Sequence, residues 1–334
     1  MRAIKTLFAL AAFGLAAGGA QAADPVKIRV AWVAPVANWA SILLEKKDLM
    51  QHHGKSYVME PTRFQATPNM ITALATNELE VANLAFSSFA LAVENAGLND
   101  LRIISDEFQD GYPDHYSNEF MVLKDGPIRK VTDLKGKIVA ANAAGSGADI
   151  AQRIMLRKNG LEDKRDYTVV EIALPNMKAA LLGKKIDLGT ATLPFSYDPE
   201  YRNAARPLFV QRDAIGRSQF VFWQARSGFI AKNRAAMVDF MEDTLRVVRF
   251  FVDPKNHKEA VEIAARVTKL PPERFDAWLF TNKDFYRDPN MLPNLDALQA
   301  NLDAQRELGF TKTKIDAKQF ADLSIVQEAA KRIK

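Results

Sequence analysis

Twice along this chain, short strand-like apolar runs alternate with segments of helical periodicity, and that alternation leaves few folds open. In the first block Val26–Val33 alternates apolar and charged residues before turning wholly apolar, and Tyr57–Glu60, Leu79–Phe86 and Leu101–Ser105 read as further strands. Helices fill the gaps. Trp39–Leu49 is one, Thr67-Pro68 opens a second with an N-cap and a proline at its first position, and Ser87-Ser88 opens a third that runs to Ala96. The second block repeats the scheme with strands at Glu119–Leu123, Lys137–Ala141 and Tyr167–Ile172, a Pro175-led helix to Leu182 and a last strand within Gly183–Phe195. Segments of these lengths imply, in each block, a mostly parallel sheet with helices on both faces.

Within the second block, Leu134–Gly160 combines a strand, a turn of small residues and a helix. The helical face carries Ile150, Ala151, Ile154 and Met155, and Gly160 is the stop. The turn Ala143-Ala-Gly-Ser-Gly-Ala148 has almost no side chains, so it leaves backbone N–H groups at the helix start open to an anion. A simpler reading stands beside this one: Ser146 caps the helix and Asp149, three residues on, bonds back as a capping box.

Composition removes several classes of function. With no cysteine, disulfides, thiol nucleophiles and cysteine metal sites are excluded. Basic and acidic residues, 45 against 40, are interspersed as in Glu45-Lys-Lys-Asp48, which describes a solvated surface and no nucleic-acid stripe. Met1–Ala22 reads as an export signal, with Arg2 and Lys5, the apolar run Leu7–Ala17, and Ala20-Gln-Ala22 as a cleavage site. The mature chain is therefore expected to be soluble and outside the cytoplasm. His52, His53, His115 and His257 are scattered without metal spacing, and no Gly-x-Ser-x-Gly elbow occurs.

Between the blocks, Asp106–Asn118 is polar and aromatic and reads as a connection. After strand-like runs at Pro207–Val210 and Gln219–Gln224 and the short Gly228–Ala231, the chain becomes helical. Ala235–Val252, Lys255–Val267, Leu295–Leu308 and a two-part Ala317–Lys334 make up this tail, which is expected to pack back on an earlier sheet. Two lobes joined by two crossings follow, with the crossings placed near Asn118 and near Arg226.

This order of parts, with Lys124-Asp-Gly-Pro-Ile-Arg-Lys-Val-Thr-Asp-Leu-Lys-Gly-Lys-Ile-Val139, Gly145-Ser-Gly-Ala-Asp149 and Ala179-Ala-Leu-Leu-Gly-Lys-Lys-Ile-Asp187, resembles the periplasmic solute-binding proteins of ABC importers. Within them it is similar to the branch serving nitrate, sulfonates, taurine, thiamine precursors and some aromatic acids. The resemblance implies an α/β, two-lobed periplasmic-binding-protein fold (type II), with two mostly parallel sheets flanked by helices and a hinge of two crossings. It divides the chain into a signal peptide over 1–22, a discontinuous first lobe over 23–118 and 226–334, and a second lobe over 119–225. Carried over position by position, it implies ligand contacts from Gly145, Ser146 and Gly147 in the second lobe. First-lobe contacts would come from Trp32, Asn38 and Trp39, from Phe64 and Gln65, and from Phe86, Ser87 and Ser88. Phe195 would contribute from Thr192-Leu-Pro-Phe195, which stands where the family often has Trp-Asp-Pro-Phe. The implied partners are a small anionic ligand and an ABC permease of the inner membrane, for a periplasmic monomer without cofactor, metal or nucleic acid.

Trp32, Trp39, Phe86 and Phe195, with Tyr112 and Trp223, suit the apolar body of an aromatic or bulky acid, although each also suits a core. Arg63 and Arg217 are candidate forks for a carboxylate or sulfonate, while Arg153 and Arg157 are expected to point outward. Alternative readings stay open at this stage. They are a periplasmic ligand-sensing subunit, a thiamine-pyrimidine-precursor binding protein, and an enzyme on the same scaffold, for which no catalytic constellation stands out.

Overall fold

The computed structural model describes residues 24–333, so the export signal read over 1–22 lies outside the described residues. The first block contributes β1 (Val26–Trp32), β2 (Tyr57–Arg63), α1 (Met70–Ala75), β3 (Val81–Ala85), α2 (Phe86–Ala96) and β4 (Leu101–Asp110). The second contributes β5 (Glu119–Leu123), β6 (Lys137–Ala141), α3 (Gly147–Lys158), β7 (Tyr167–Glu171), α4 (Leu174–Leu182), β8 (Leu188–Ala191), α5 (Pro199–Ala204), β9 (Ala205–Val210) and α6 (Gln211–Ile215). Then come β10 (Ser218–Arg226), α7 (Ser227–Lys232), α8 (Arg234–Val252), α9 (His257–Thr268), α10 (Leu295–Glu307) and α11 (Ser324–Arg332). Among the described residues no helix is long and apolar enough to cross a membrane.

The strands form two five-stranded sheets, in the orders β2-β1-β3-β10-β4 and β7-β6-β8-β5-β9. In each, one strand runs against the rest. β10 is antiparallel to β3 and β4, and β5 is antiparallel to β8 and β9. Each of these odd strands begins directly after the chain has crossed from the other sheet, so its direction is fixed by where the crossing delivers it.

Sequence places the return crossing near Arg226, but the structure places it earlier. Ser218–Arg226 pairs with β3 and β4, which assigns it to the first sheet and leaves 211–217 as the return. The segment read as a connection, Asp106–Asn118, is also half strand, because β4 runs on to Asp110. Three of its acidic residues, Asp106, Glu107 and Asp110, are carried inside, since each finds donors. Asp106 accepts from the Gln219 amide and the Asp288 N–H, Glu107 from the Trp39 N–H and the Asn83 amide, and Asp110 from the Ser117 hydroxyl and the Asn118 N–H. Trp39–Leu49 forms two short 3-10 segments that part at Ile42, the second of them kinked where Lys46 leaves helical geometry. Ser227–Lys232 is already helical, although Gly228–Ala231 reads as strand-like.

The two crossings are tied to each other. The Ser117 hydroxyl that donates to Asp110 accepts from the Arg212 N–H at 3.0 Å, and the Asn118 carbonyl accepts from the Gln211 N–H at 2.7 Å. Gly111 sits between them with φ of +72°, where an added Cβ would fall 2.7 Å from the Gly216 carbonyl oxygen, so only glycine fits without displacement.

The helical tail packs back on the first sheet. Phe240 of α8 stacks on Trp223 of β10 at 5.7 Å and meets the Tyr57 ring edge-on, while the Asp243 carboxylate gathers the N–H groups of Gln51, His52 and His53 and the Tyr57 hydroxyl. A fully buried carboxylate is tolerable only because it is so well supplied with donors.

Burial pushes the carboxyls of Asp106, Glu107 and Asp110 up to about 7, against hydrogen bonds that hold them down. A carboxyl whose pKa is higher folded than unfolded binds its proton more tightly when folded. The stability these three supply is therefore complete below the ordinary carboxylate range and is lost as pH rises through about 7. Surface carboxylates pulled down by hydrogen bonds, such as Glu94 and Asp166, act in the opposite sense but only in acid. The melting temperature should accordingly fall between pH 6 and pH 8.5 in calorimetry at constant ionic strength; a steady rise over that interval would contradict the assignment.

Candidate ligand-binding site

Both lobes aim the ends of their strands and the starts of their helices at one cleft, the usual place for a ligand in sheets wound this way. Its inner part is a chamber of about 70 Å³ between the lobes. The first lobe lines it with Asn38, Asn83 and Phe220, the first crossing with Asn118, and the second lobe with Asn142, Gly147 and Thr190, among others. No lining side chain carries a charge. An outer cleft of about 430 Å³ shares Leu174 and Thr190 with the chamber and is walled by Trp32, Arg63, Lys178, Phe195, Asp198 and Arg274. A side recess adds Phe64 and Gln65 beside Phe195.

The helix start of α3 forms the second-lobe wall of the chamber. Ser146 caps it, accepting from the Asp149 N–H at 3.2 Å and donating to Asn142 Oδ1 at 2.8 Å. Asp149 bonds back to the Gly145 N–H at 2.9 Å, one residue earlier than a capping box requires. Its charge is balanced by Arg153, which also reaches Asp163 at 2.5 Å, so Arg153 is engaged beneath the turn rather than pointing outward. Burial raises the Asp149 carboxyl, and the Arg153 guanidinium opposes that rise. Capping consumes the Gly145 and Asp149 N–H groups, whereas Gly147 and Ala148 line the chamber and their N–H groups have no acceptor among the described residues.

The same loop holds the lobes together. The Gly145 carbonyl accepts from the Ser87 hydroxyl at 2.8 Å and from Ser88 at 3.3 Å, and Ser88 is paired with Thr67 at 2.7 Å. Gly147 presses against the first lobe so closely that an added Cβ would lie 2.5 Å from the Phe220 ring and 3.1 Å from Ala85. At the cleft rim Arg274 pairs with Asp198 at 3.0 Å and Trp278 stacks on Tyr197 at 5.6 Å. This is a closed arrangement of the two lobes.

The residues expected at a ligand from sequence divide accordingly. Asn38, Ser146 and Gly147 line the chamber; Trp32 and Phe195 line the outer cleft; Phe64, Gln65 and Phe195 line the recess. Gly145, Ser87 and Ser88 form the latch between lobes. Trp39 and Phe86 are corrected to core: both are fully buried, and Trp39 stacks on Phe280 at 5.3 Å with the buried Arg287 guanidinium 4.7 Å from its ring. Trp223 is likewise core, and Tyr112 is stacked under Tyr286 with Arg217 over its other side. Of the candidate forks only Arg63 reaches the cleft, 5.3 Å from the Trp32 ring.

Sequence reasoning missed Asn83, Asn118, Asn142, Thr190, Thr192 and Phe220. One signal was available: Asn83 interrupts the apolar run Val81-Ala-Asn-Leu-Ala85, and a polar residue inside a buried strand needs a reason. His52 lies near Asp239 and Glu242, but Arg332 and Arg246 already neutralise these carboxylates, so the cluster is a charge network.

Gly147→Val should hold the lobes apart through Phe220, expanding the molecule in solution scattering and weakening solute binding roughly tenfold to a hundredfold, in keeping with about 1–3 kcal/mol for overpacking. Adding Phe220→Ala to the same chain should restore part of the closure. Scattering identical to the unmodified protein would contradict the close-approach role.

With this geometry in hand, comparison with known proteins is informative. The chain matches the sequence profile of the NMT1-like family over residues 21–265. No curated protein matches it in sequence. In structure it is similar to the alkanesulfonate-binding protein SsuA from Xanthomonas axonopodis pv. citri, solved with MOPS, at 18% identity and a TM-score of 0.70, over 90% of this chain and 99% of that one. The periplasmic nitrate-binding protein NrtA from Synechocystis PCC 6803 aligns at 12% identity and a TM-score of 0.70, over 93% and 89%. The desulfurization enzyme DSZB aligns at 14% identity and a TM-score of 0.66, over 92% and 100%. At such identities the likeness establishes a fold, that of two-lobed periplasmic binding proteins, which also carries an enzyme.

Proposed function

Since this chain belongs to the NMT1-like family, we propose that it is an extracytoplasmic solute-binding receptor of an ABC importer, capturing a small organic acid between its lobes and delivering it to a permease. The observation that carries this reading is the chamber itself. It lies between lobes held shut by a few hydrogen bonds, one glycine contact, and an ion pair and an aromatic stack at the rim, and its wall offers two unpaired helix N–H groups. Such a site can grip an oxygen-bearing head group and release it when the lobes part, which is what a carrier must do.

The wider cleft favours a bulky or aromatic body. Trp32 and Phe195 offer apolar faces, and Arg63 has no ion-pair partner among the described residues, whereas Lys178 and Arg274 are both engaged by Asp198. A sulfonate or an aromatic carboxylate with its acid group inward and its body toward Phe195 satisfies these features. Names of structural neighbours fit this reading, since they include sulfonate-binding and nitrate-binding proteins. Nitrate would leave the aromatic outer cleft unused. A carrier reading is preferred to an enzyme because this chain has no cysteine and the charge-free chamber holds no general acid or base. A periplasmic location follows from the export signal read in the sequence.

A thermal-shift screen of the exported form against alkanesulfonates, taurine, benzoates, phthalates, nitrate and thiamine precursors tests the proposal. A solute that binds the folded state should add about 2.7 kcal/mol of stability at a hundredfold excess over its dissociation constant. Arg63→Gln should weaken acids with a second negative group more than those with one. Absence of any shift across the panel would count against the carrier reading.

A further inference from the structure

We infer that the solute carries a hydrogen-bond donor, a hydroxyl or amino group, a short distance from its acid oxygen, so that a bare acid is a poor ligand. This deepens the carrier reading and rests on it. The inference comes from the four asparagines that line the chamber. Two of their carbonyls are committed within the protein: Asn38 Oδ1 accepts from the Val33 and Ala34 N–H groups, and Asn142 Oδ1 from the Ser146 hydroxyl. The other two asparagines are not settled in this way.

Asn83 is fully buried, and its amide nitrogen donates to Glu107 Oε2 at 2.9 Å. Above pH 7, where the Glu107 carboxyl is ionised, its oxygen can only accept, so the orientation of the amide is fixed and its own oxygen is left over. That oxygen, Asn83 Oδ1, has no partner among the described residues. Asn118, also fully buried, has neither amide atom paired among the described residues. The first-lobe wall and the crossing therefore present a bare acceptor and a bare amide. Across the chamber, α3 presents the two bare donors of Gly147 and Ala148.

An oxyanion alone meets the donors and nothing else. It would leave Asn83 Oδ1 facing a negative group with no hydrogen between them, a buried acceptor without a donor. A solute with an O–H or N–H beside its acid group meets both walls at once. Spacing agrees with this. Ala85 touches the position of Gly147, and Asn83 is two residues along β3 on the same face, roughly 7 Å away. A small solute with its acid group at one wall and its donor at the other bridges the two. Asn118 can then serve either end, and it does so from the crossing itself, which couples occupancy of the chamber to the hinge.

Matched pairs distinguish this inference from the carrier reading beneath it. Calorimetric titration of the unmodified protein would compare taurine with ethanesulfonate, 3-aminopropanoate with propanoate, and 3-hydroxybenzoate with benzoate. In any pair that binds, the donor-bearing member should be tighter by about tenfold or more, the scale expected when a buried acceptor is left unpaired. Asn83→Ala should bring that member down to the affinity of its partner, with the melting temperature of the unliganded variant confirming a folded chain. Equal or tighter binding of the donor-less member overturns the inference and leaves the carrier reading standing. Binding by neither member of any pair overturns the organic-acid carrier reading and the inference with it.

Discussion

The architecture depends on β10 being seated between β3 and β4. The first sheet is not closed until the chain has left it, built the second sheet and come back. That requirement brings the two crossings side by side, where the Ser117 and Asn118 contacts to Arg212 and Gln211 tie them into one hinge. It also orients both lobes, since β5 and β10 enter their sheets directly from those crossings. A cleft between the lobes is then unavoidable, and much of what lines its inner chamber is a strand end, a helix start or a crossing.

What fills the cleft is unusual in its charge distribution. Charged groups are abundant nearby, yet apart from Arg63 at the outer cleft they are engaged by one another or by neutral partners: Asp149 with Arg153, Asp198 with Lys178 and Arg274, Glu107 with the Trp39 N–H and the Asn83 amide. The chamber keeps only amides, hydroxyls and peptide N–H groups. Neutral dipoles held in place this way can bind a polar head without a strong, slow-releasing ion pair, which suits a protein that must let go. Latching falls to the Ser87 and Ser88 contacts with the Gly145 carbonyl and, at the rim, to the Arg274–Asp198 pair and the Trp278–Tyr197 stack.

Much of this was legible in the sequence. The double alternation gave both sheets, and the run Gly145-Ser-Gly-Ala-Asp149 marked the helix start that walls the chamber. The position of the return crossing was not legible, because an apolar strand such as Gln219–Gln224 carries no mark of which sheet receives it. The aromatic residues misled for a related reason. Trp39 follows the polar Asn38 at the start of a short helix and looks available, but the tail residues that cover it, Phe251, Phe280 and Arg287, come from more than two hundred residues later. Asn118 and Asn142 were overlooked because a single polar residue at a strand end has no periodicity to reveal it; Asn83 does interrupt an apolar strand, and burial without a partner singles it out together with Asn118.

If the start of α3 receives the solute between the lobes, its amide groups must sense the solute first. Amide resonances of the isotope-labelled protein can be followed by NMR during titration with a solute that stabilises it. The Gly147 and Ala148 N–H signals should shift strongly and exchange more slowly with solvent as the chamber fills. Solute binding that leaves both signals in place while others move would contradict that placement of the solute.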